Sequence, residues 1–147
     1  GDLDKKDRWF HGNHDNPIDC SKEKGYLGRF GMTSEGIFFA SGAFSVDAFY
    51  RTIDRDWFYD EELTEEEMSA ALQLYTEMKP DIVATHECPK SIRPFMLHAI
   101  NKPRGPVFES RTTDFLERCL LVHKPKIWVF GHWHRSFDRE IDGVRFE

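Results

Sequence analysis

Three segments of the 147-residue chain end an apolar run on a polar turn that carries His or Asn. They are Trp9-Phe10-His11-Gly12-Asn13-His14-Asp15, Ile82-Val83-Ala84-Thr85-His86-Glu87 and Trp128-Val129-Phe130-Gly131-His132-Trp133-His134. Imidazole nitrogens and an amide oxygen drawn from three such turns suit a divalent transition metal. His132 and His134 share one tight turn, so their rings can reach either one ion or two neighbouring ions. Gly12 and Gly131 let the backbone approach the site closely. Turns of this kind meet only if their strands end on one edge of a sheet, which is where α/β folds place their sites.

The elements that must position these residues are short. Arg8 to His11, Tyr26 to Phe30 and Ile37 to Ala40 read as strands, and Gly12 to Pro17 as a loop of turn formers. Asp81 to Thr85 and Ile127 to Phe130 read as buried strands, and Asp142-Gly143 joins 139–141 and 144–146 as a hairpin. Thr64 and Glu67 form a capping box ahead of Met68, Ala71, Leu72, Tyr75 and Met78, which recur at helical spacing until Pro80. Ser110 caps a second helix with Phe115, Leu116, Cys119 and Leu120 on its apolar face. Ser41 to Asp60 is a long irregular stretch carrying Phe44, Phe49, Tyr50, Trp57 and Phe58, a loop length that is usually functional. With no repeat and no linker, residues 1–147 are expected to form one α/β or α+β domain.

Composition narrows the class. With 39% hydrophobic residues the chain can build a core, while 31% charged residues and a mean hydropathy of -0.60 do not fit a membrane protein. No apolar run approaches the roughly 20 residues that cross a bilayer, and the polar start shows no signal peptide. A net charge of -6 argues against sequence-independent grip on nucleic acid. It does not exclude a phosphate-bearing substrate, because a bound metal supplies positive charge locally. Cys20, Cys88 and Cys119 are odd in number and far apart, so they read as small apolar residues in a reducing cytoplasm.

Gly12-Asn13-His14-Asp15, the single His86 after a strand, and Gly131-His132-Trp133-His134 resemble, in order and strand context, motifs of the calcineurin-like metallophosphoesterases. That family carries five blocks: Asp-x-His, Gly-Asp, Gly-Asn-His-Asp/Glu, His and Gly-His-x-His. The resemblance implies a layered α/β sandwich of two mixed β-sheets flanked by helices, here truncated at the N-terminus and lacking its first strand. It implies hydrolysis of a phosphomonoester or phosphodiester by attack of a metal-bridging hydroxide. Asn13, His86 and His132 would then hold one metal and His134 the second, with His14 as general acid oriented by Asp15. The expected cofactors are two divalent ions, manganese first, with iron, nickel or zinc as alternatives. No Asp-x-His block precedes Gly12, and the hairpin stops at Glu147 in mid-pattern, so the chain is expected to be incomplete at both ends. Asp2 is either the bridging ligand of the Gly-Asp block or an ordinary Asp. Only Leu3 to Lys6 separate it from the next strand, whereas a parallel crossover takes about a dozen residues. The alternative from another class is a non-catalytic, degenerate module that binds metal or a partner. Nucleotides, nucleic-acid ends, phosphoproteins and small cyclic phosphodiesters all remain open as substrates, and the oligomeric state is silent.

The other polar residues have blander readings. His11 reads as a packing residue or a support for a ligand, His98 as a loop residue, and His123 as a partner of a helix dipole. Asp60-Glu61-Glu62 and Glu65-Glu66-Glu67 read as a solvated helix start. Trp57, Phe58 and Tyr59 read as cover for the core. Arg51, Arg55, Lys90, Arg93 and Arg104 are candidate phosphate clamps or ordinary surface charges. Glu87 and Cys88 are placed to tune a metal from behind His86.

Overall fold

A computed structural model describes residues 7–45, 60–99 and 110–147. Asp2, the aromatics Phe49, Tyr50, Trp57, Phe58 and Tyr59, and the arginines Arg51, Arg55 and Arg104 lie outside the described residues. The short apolar runs form six strands: β1 (Phe30–Met32), β2 (Ile37–Ala40), β3 (Ile82–Thr85), β4 (Ile127–Phe130), β5 (Arg139–Ile141) and β6 (Val144–Phe146). Four helices accompany them among the described residues: α1 (Pro17–Cys20), α2 (Glu65–Met78), α3 (Arg93–Ala99) and α4 (Arg111–Val122). The strands pair in the order β1-β2-β3-β4-β6-β5, parallel from β2 through β6 and antiparallel at both outer pairs.

Register decides where the chemistry can sit. Ile37, Ile82 and Ile127 stand side by side, and so do Ala40, Thr85 and Phe130. The three central strands therefore end level, and Ser41, His86 and Gly131 leave one common edge. Two backbone bonds carry the pairing past that edge, from His86 N–H to the Ala40 carbonyl (3.3 Å) and from Gly131 N–H to the His86 carbonyl (3.2 Å).

One face of the sheet carries the core. Phe38, Val83, Trp128 and Phe146 pack with Met68, Ala71 and Tyr75 of α2 and with Phe115, Leu116 and Cys119 of α4. Tyr75 meets the Phe38 ring edge-on at 5.0 Å, and its hydroxyl donates to the His123 carbonyl. On the opposite face Phe10 stacks on Phe39 at 5.8 Å, while Val129 stays 42% exposed. The described residues thus give a mixed α/β layer built on one sheet. Of the expected strand at 8–11 they show a single parallel bridge, Trp9 to Tyr26.

Both long helices, the buried strands and the hairpin follow the sequence reading, including the reciprocal Thr64–Glu67 cap. Three expectations need correction. The strand expected from Tyr26 begins only at Phe30; Tyr26 instead bridges Trp9, and Gly28, at φ +103°, stands between that bridge and β1. His98 lies within α3, not in a loop; Pro94 is the second residue of that helix, where the missing N–H has no helical partner to lose. The acidic run is split. Glu65 and Glu66 are exposed as expected, but Glu61 and Glu62 are only 3% and 7% exposed. No helix among the described residues is long and apolar enough to cross a membrane.

Candidate functional site

The turns after β3 and β4 start side by side, and the Asn13 loop is drawn onto the same edge by one backbone bond. Gly42 N–H, just past β2, donates to the His11 carbonyl at 3.0 Å. Gly42 has φ +80°, and a Cβ there would collide with the Glu61 carbonyl, so the 60–62 segment crosses directly over it. Gly12 is needed for a different reason. A Cβ at that position would come within 2.7 and 2.9 Å of the His86 ring, so the imidazole lies against bare backbone. Beyond β4 the turn is tight, with Trp133 N–H donating to the Gly131 carbonyl at 2.8 Å. His132 and His134 both take left-handed φ, 66° and 51°, a conformation uncommon outside glycine and often found at functional sites.

Three of the predicted side chains converge. Asn13 Oδ1 is 3.0 Å from His86 Nε2, and His132 Nδ1 is 3.4 Å from the same nitrogen. Donors about 2.1 Å from one ion stand roughly 3.0–3.4 Å apart at octahedral or tetrahedral angles, so both separations suit a shared ion. Burial lowers the His86 pKa to about 4, with His132 adding to the effect, and burial also lowers that of His132. Both rings are therefore neutral near pH 7, each with a lone pair on one nitrogen, as ligation requires. Among the described residues no group of three or more His, Cys, Asp or Glu is placed to hold a metal. The set found here is two imidazoles and an amide.

Each member of the set is held from behind. Asn13 Nδ2 donates to Ser45 Oγ at 2.8 Å, and Glu61 accepts from the Ser45 amide (2.7 Å) and hydroxyl (2.8 Å). On the other side Glu87 Oε1 accepts from Cys88 N–H and Trp133 Nε1–H, both at 2.8 Å, and its Oε2 lies 3.6 Å from His132 Nε2. Glu87 thus braces Trp133 and approaches His132 from behind the triplet. Cys88 is buried, which pushes its thiol well above its ordinary pKa and makes it a poor nucleophile.

Other predicted residues lie at the surface close to this triplet. His14, Asp15 and His134 are exposed, and Asp15 Oδ2 accepts from Gly12 N–H at 2.9 Å, closing the loop on which His14 stands. His11 is fully buried, with Nδ1 2.7 Å from the Tyr26 hydroxyl; burial and then Arg29 lower its pKa to about 4. It packs, as its sequence position suggests. Of the candidate clamps, Lys90 pairs with Asp114 at 2.7 Å, and Arg93 lies over the Trp133 ring at 5.9 Å. Sequence reasoning missed Ser45 and Glu61. The one available signal was that Glu61 precedes the Thr64 cap by three residues and so belongs to the loop, not to the charged first turn.

The family model described as calcineurin-like phosphoesterase matches residues 2–136, which include all three turns. No curated protein and no solved structure gives a match. The ordered Asn and His turns, their assembly on one sheet edge and a family match over most of the length agree, and the chain belongs to the calcineurin-like phosphoesterases.

Proposed function

We propose that the chain hydrolyses a phosphate ester at a divalent-metal centre, with Asn13, His86 and His132 holding one ion. The observation that carries this reading is the approach of Asn13 Oδ1, His86 Nε2 and His132 Nδ1 to within 3.0 and 3.4 Å of one another along the chain of contacts. In the same reading His134 holds part of a second ion, and Asp2, outside the described residues, is the tentative bridging ligand. Manganese is the first choice of metal, with iron, nickel or zinc as alternatives. When bound, such ions supply positive charge to the phosphoryl oxygens and an activated water.

The chain's own residues do the rest. The neutral amide and imidazoles bind without adding negative charge, which leaves the site cationic and suited to an anionic ester. His14, exposed at the tip of its loop, delivers a proton to the departing oxygen. Asp15 fixes that loop through Gly12 N–H. A second β-layer over the face that carries Phe39 and the exposed Val129 would complete the two-sheet sandwich, and Phe10 already stacks there. Three buried free cysteines favour a reducing compartment, the cytoplasm. Nucleotides and nucleic-acid ends stay among the candidate substrates.

The test is turnover of a generic aryl phosphate monoester and diester by the manganese-equilibrated chain, alongside His14→Ala and His86→Ala. His14→Ala is expected to retain its manganese while losing about 10²–10⁴ in turnover, and His86→Ala to lose the metal itself. Loss of metal in His14→Ala would exchange its role from acid to ligand. One ion or none, with no turnover by the parent chain, would favour the binding-module alternative.

A further inference from the structure

An asparagine can ligate a cation only through Oδ1, and its two ends are nearly alike in shape, so something must set which end faces the site. At Asn13 that choice is made by a chain of three buried residues. Asn13, Ser45 and Glu61 are 3%, 1% and 3% exposed. Glu61, as a carboxylate, only accepts: Oε1 takes the Ser45 amide at 2.7 Å, and Oε2 takes the Ser45 hydroxyl at 2.8 Å. Ser45 Oγ also lies 3.4 Å from the Asn13 carbonyl, but the 2.8 Å contact with Glu61 Oε2 claims its one hydrogen and leaves only lone pairs for the Asn13 side chain. It therefore accepts from Asn13 Nδ2 at 2.8 Å, and Oδ1 is turned the other way, 3.0 Å from His86 Nε2.

We propose that Ser45 and Glu61 are positioning residues for the metal site, a directional hydrogen-bond relay that presents Asn13 Oδ1, not Nδ2, to the ion. The proposal rests on the reading of Asn13 as a ligand. The relay works by polarity, not by shape. A glutamine at position 61 fills the same space, and its Oε1 still accepts from the Ser45 amide. Its NH2 then faces Ser45 Oγ and gives a hydrogen instead of taking one. The Ser45 hydroxyl hydrogen is released toward Asn13, which answers it with Oδ1 and turns its NH2 on the metal. An aspartate at position 13 presents an oxygen to the ion whichever way it turns, and the reversal favours it, because the freed Ser45 hydrogen gives its other oxygen a donor.

The test is manganese affinity by titration calorimetry, with circular dichroism and thermal midpoints as folding controls. Glu61→Gln is expected to weaken manganese binding about 10–100-fold while keeping the parent fold. Ser45→Ala, which leaves the carboxylate in place and removes only the relay hydroxyl, is expected to weaken it in the same direction. In an Asn13→Asp background the same Glu61→Gln change is expected to cause no loss of affinity, and to raise it if anything, because it gives the aspartate's second oxygen a donor. Equal losses in the parent and Asn13→Asp backgrounds would make Glu61 a structural residue and overturn the relay, as would unchanged affinity in Glu61→Gln or Ser45→Ala. Asn13→Ala separates the two levels of inference. If it binds manganese as the parent does, or the parent binds none, the ligand assignment falls and takes the relay with it. If it loses binding while Glu61→Gln and Ser45→Ala do not, only the relay fails.

Discussion

Glu61 and Glu62 are neighbours in one acidic run, both are buried, and they face opposite tasks. Glu61 accepts from the amide and hydroxyl of Ser45 and so touches the site through one intermediary. Glu62 reaches α4, where its Oε2 accepts from Ser110 Oγ (3.1 Å), Thr112 N–H (2.9 Å) and Thr112 Oγ1 (2.6 Å), with Arg111 Nε 3.5 Å from Oε1. It caps a helix that belongs to another part of the chain, satisfying an otherwise orphaned N–H and meeting the positive end of the helix dipole. The same side chain in consecutive positions thus serves the site in one case and the scaffold in the other, and only the source of its donors distinguishes the two. Both depend on Arg29, whose guanidinium donates to the carbonyls of Asp60 and Glu62 and to Glu67 Oε1, tying the loop to α2.

The comparison breaks most visibly at Glu62. Glu62→Ala strands two hydroxyls and a helix-terminal N–H in a buried place, and it should cost about 3 kcal/mol. In a thermal melt that is a drop on the order of 10 °C. Manganese affinity measured below the transition should stay at the parent value; a loss there would erase the division between the two acids. Next in size is Gly12→Ala, which crowds the site without touching either carboxylate. The added Cβ has no room beside the His86 ring and should cost about 1–3 kcal/mol while displacing a donor. Calorimetry should therefore find both a lower midpoint and weaker manganese binding, the combined signature that neither acid alone is expected to give.

The smallest effect belongs to the Arg29 tie. Burial raises the Glu67 pKa, but its bonds to Arg29 and to the Thr64 amide lower it further, and the net direction is down. A carboxyl whose folded pKa is depressed contributes stability in full above its unfolded pKa, near 4.5, and loses it as pH falls through the lower folded value. Glu67→Gln should cost about 1 kcal/mol at pH 7, from a weakened capping box and a partly solvated ion pair. The gap between variant and parent in chemical denaturation should begin to close below pH 4.5 and vanish once the pH is under the lower folded pKa. A gap that persists in acid would place the contribution in packing instead of charge.

Much of the scaffold is legible because its signals are local. The Thr64–Glu67 cap, the Ser110 cap, the apolar runs 82–85 and 127–130 and the Asp142-Gly143 turn each depend on residues a few positions apart. The meeting of His86 and His132 is legible because each comes just after an apolar run, and parallel strands with level ends bring their outgoing turns to one edge; Asn13 joins them through the Gly42–His11 backbone bond, which no local signal announces. Other features depend on partners distant in sequence. Glu61 looks like one more solvated acid until Ser45 is seen 16 residues upstream, and Glu62 until α4 is seen 50 residues downstream. The α3 helix is short, and its Pro94 reads as a breaker unless its place in the first turn is known. The late start of β1 reflects the pairing of Tyr26 with Trp9, 17 residues upstream, instead of with the sheet.

Long separations along the chain have a temporal side. Asn13 and His86 are 73 residues apart, and His86 and His132 are 46 apart. They meet only after β2 has found β3 and β3 has found β4, both parallel pairings. Contacts of such span form slowly, since loop closure must precede any gain from pairing. The three side chains therefore come together only once the central sheet has formed. In the proposed metal site, a half-folded chain with its histidines still scattered would have no pincer with which to seize a passing cation, so chelation would wait on a completed sheet.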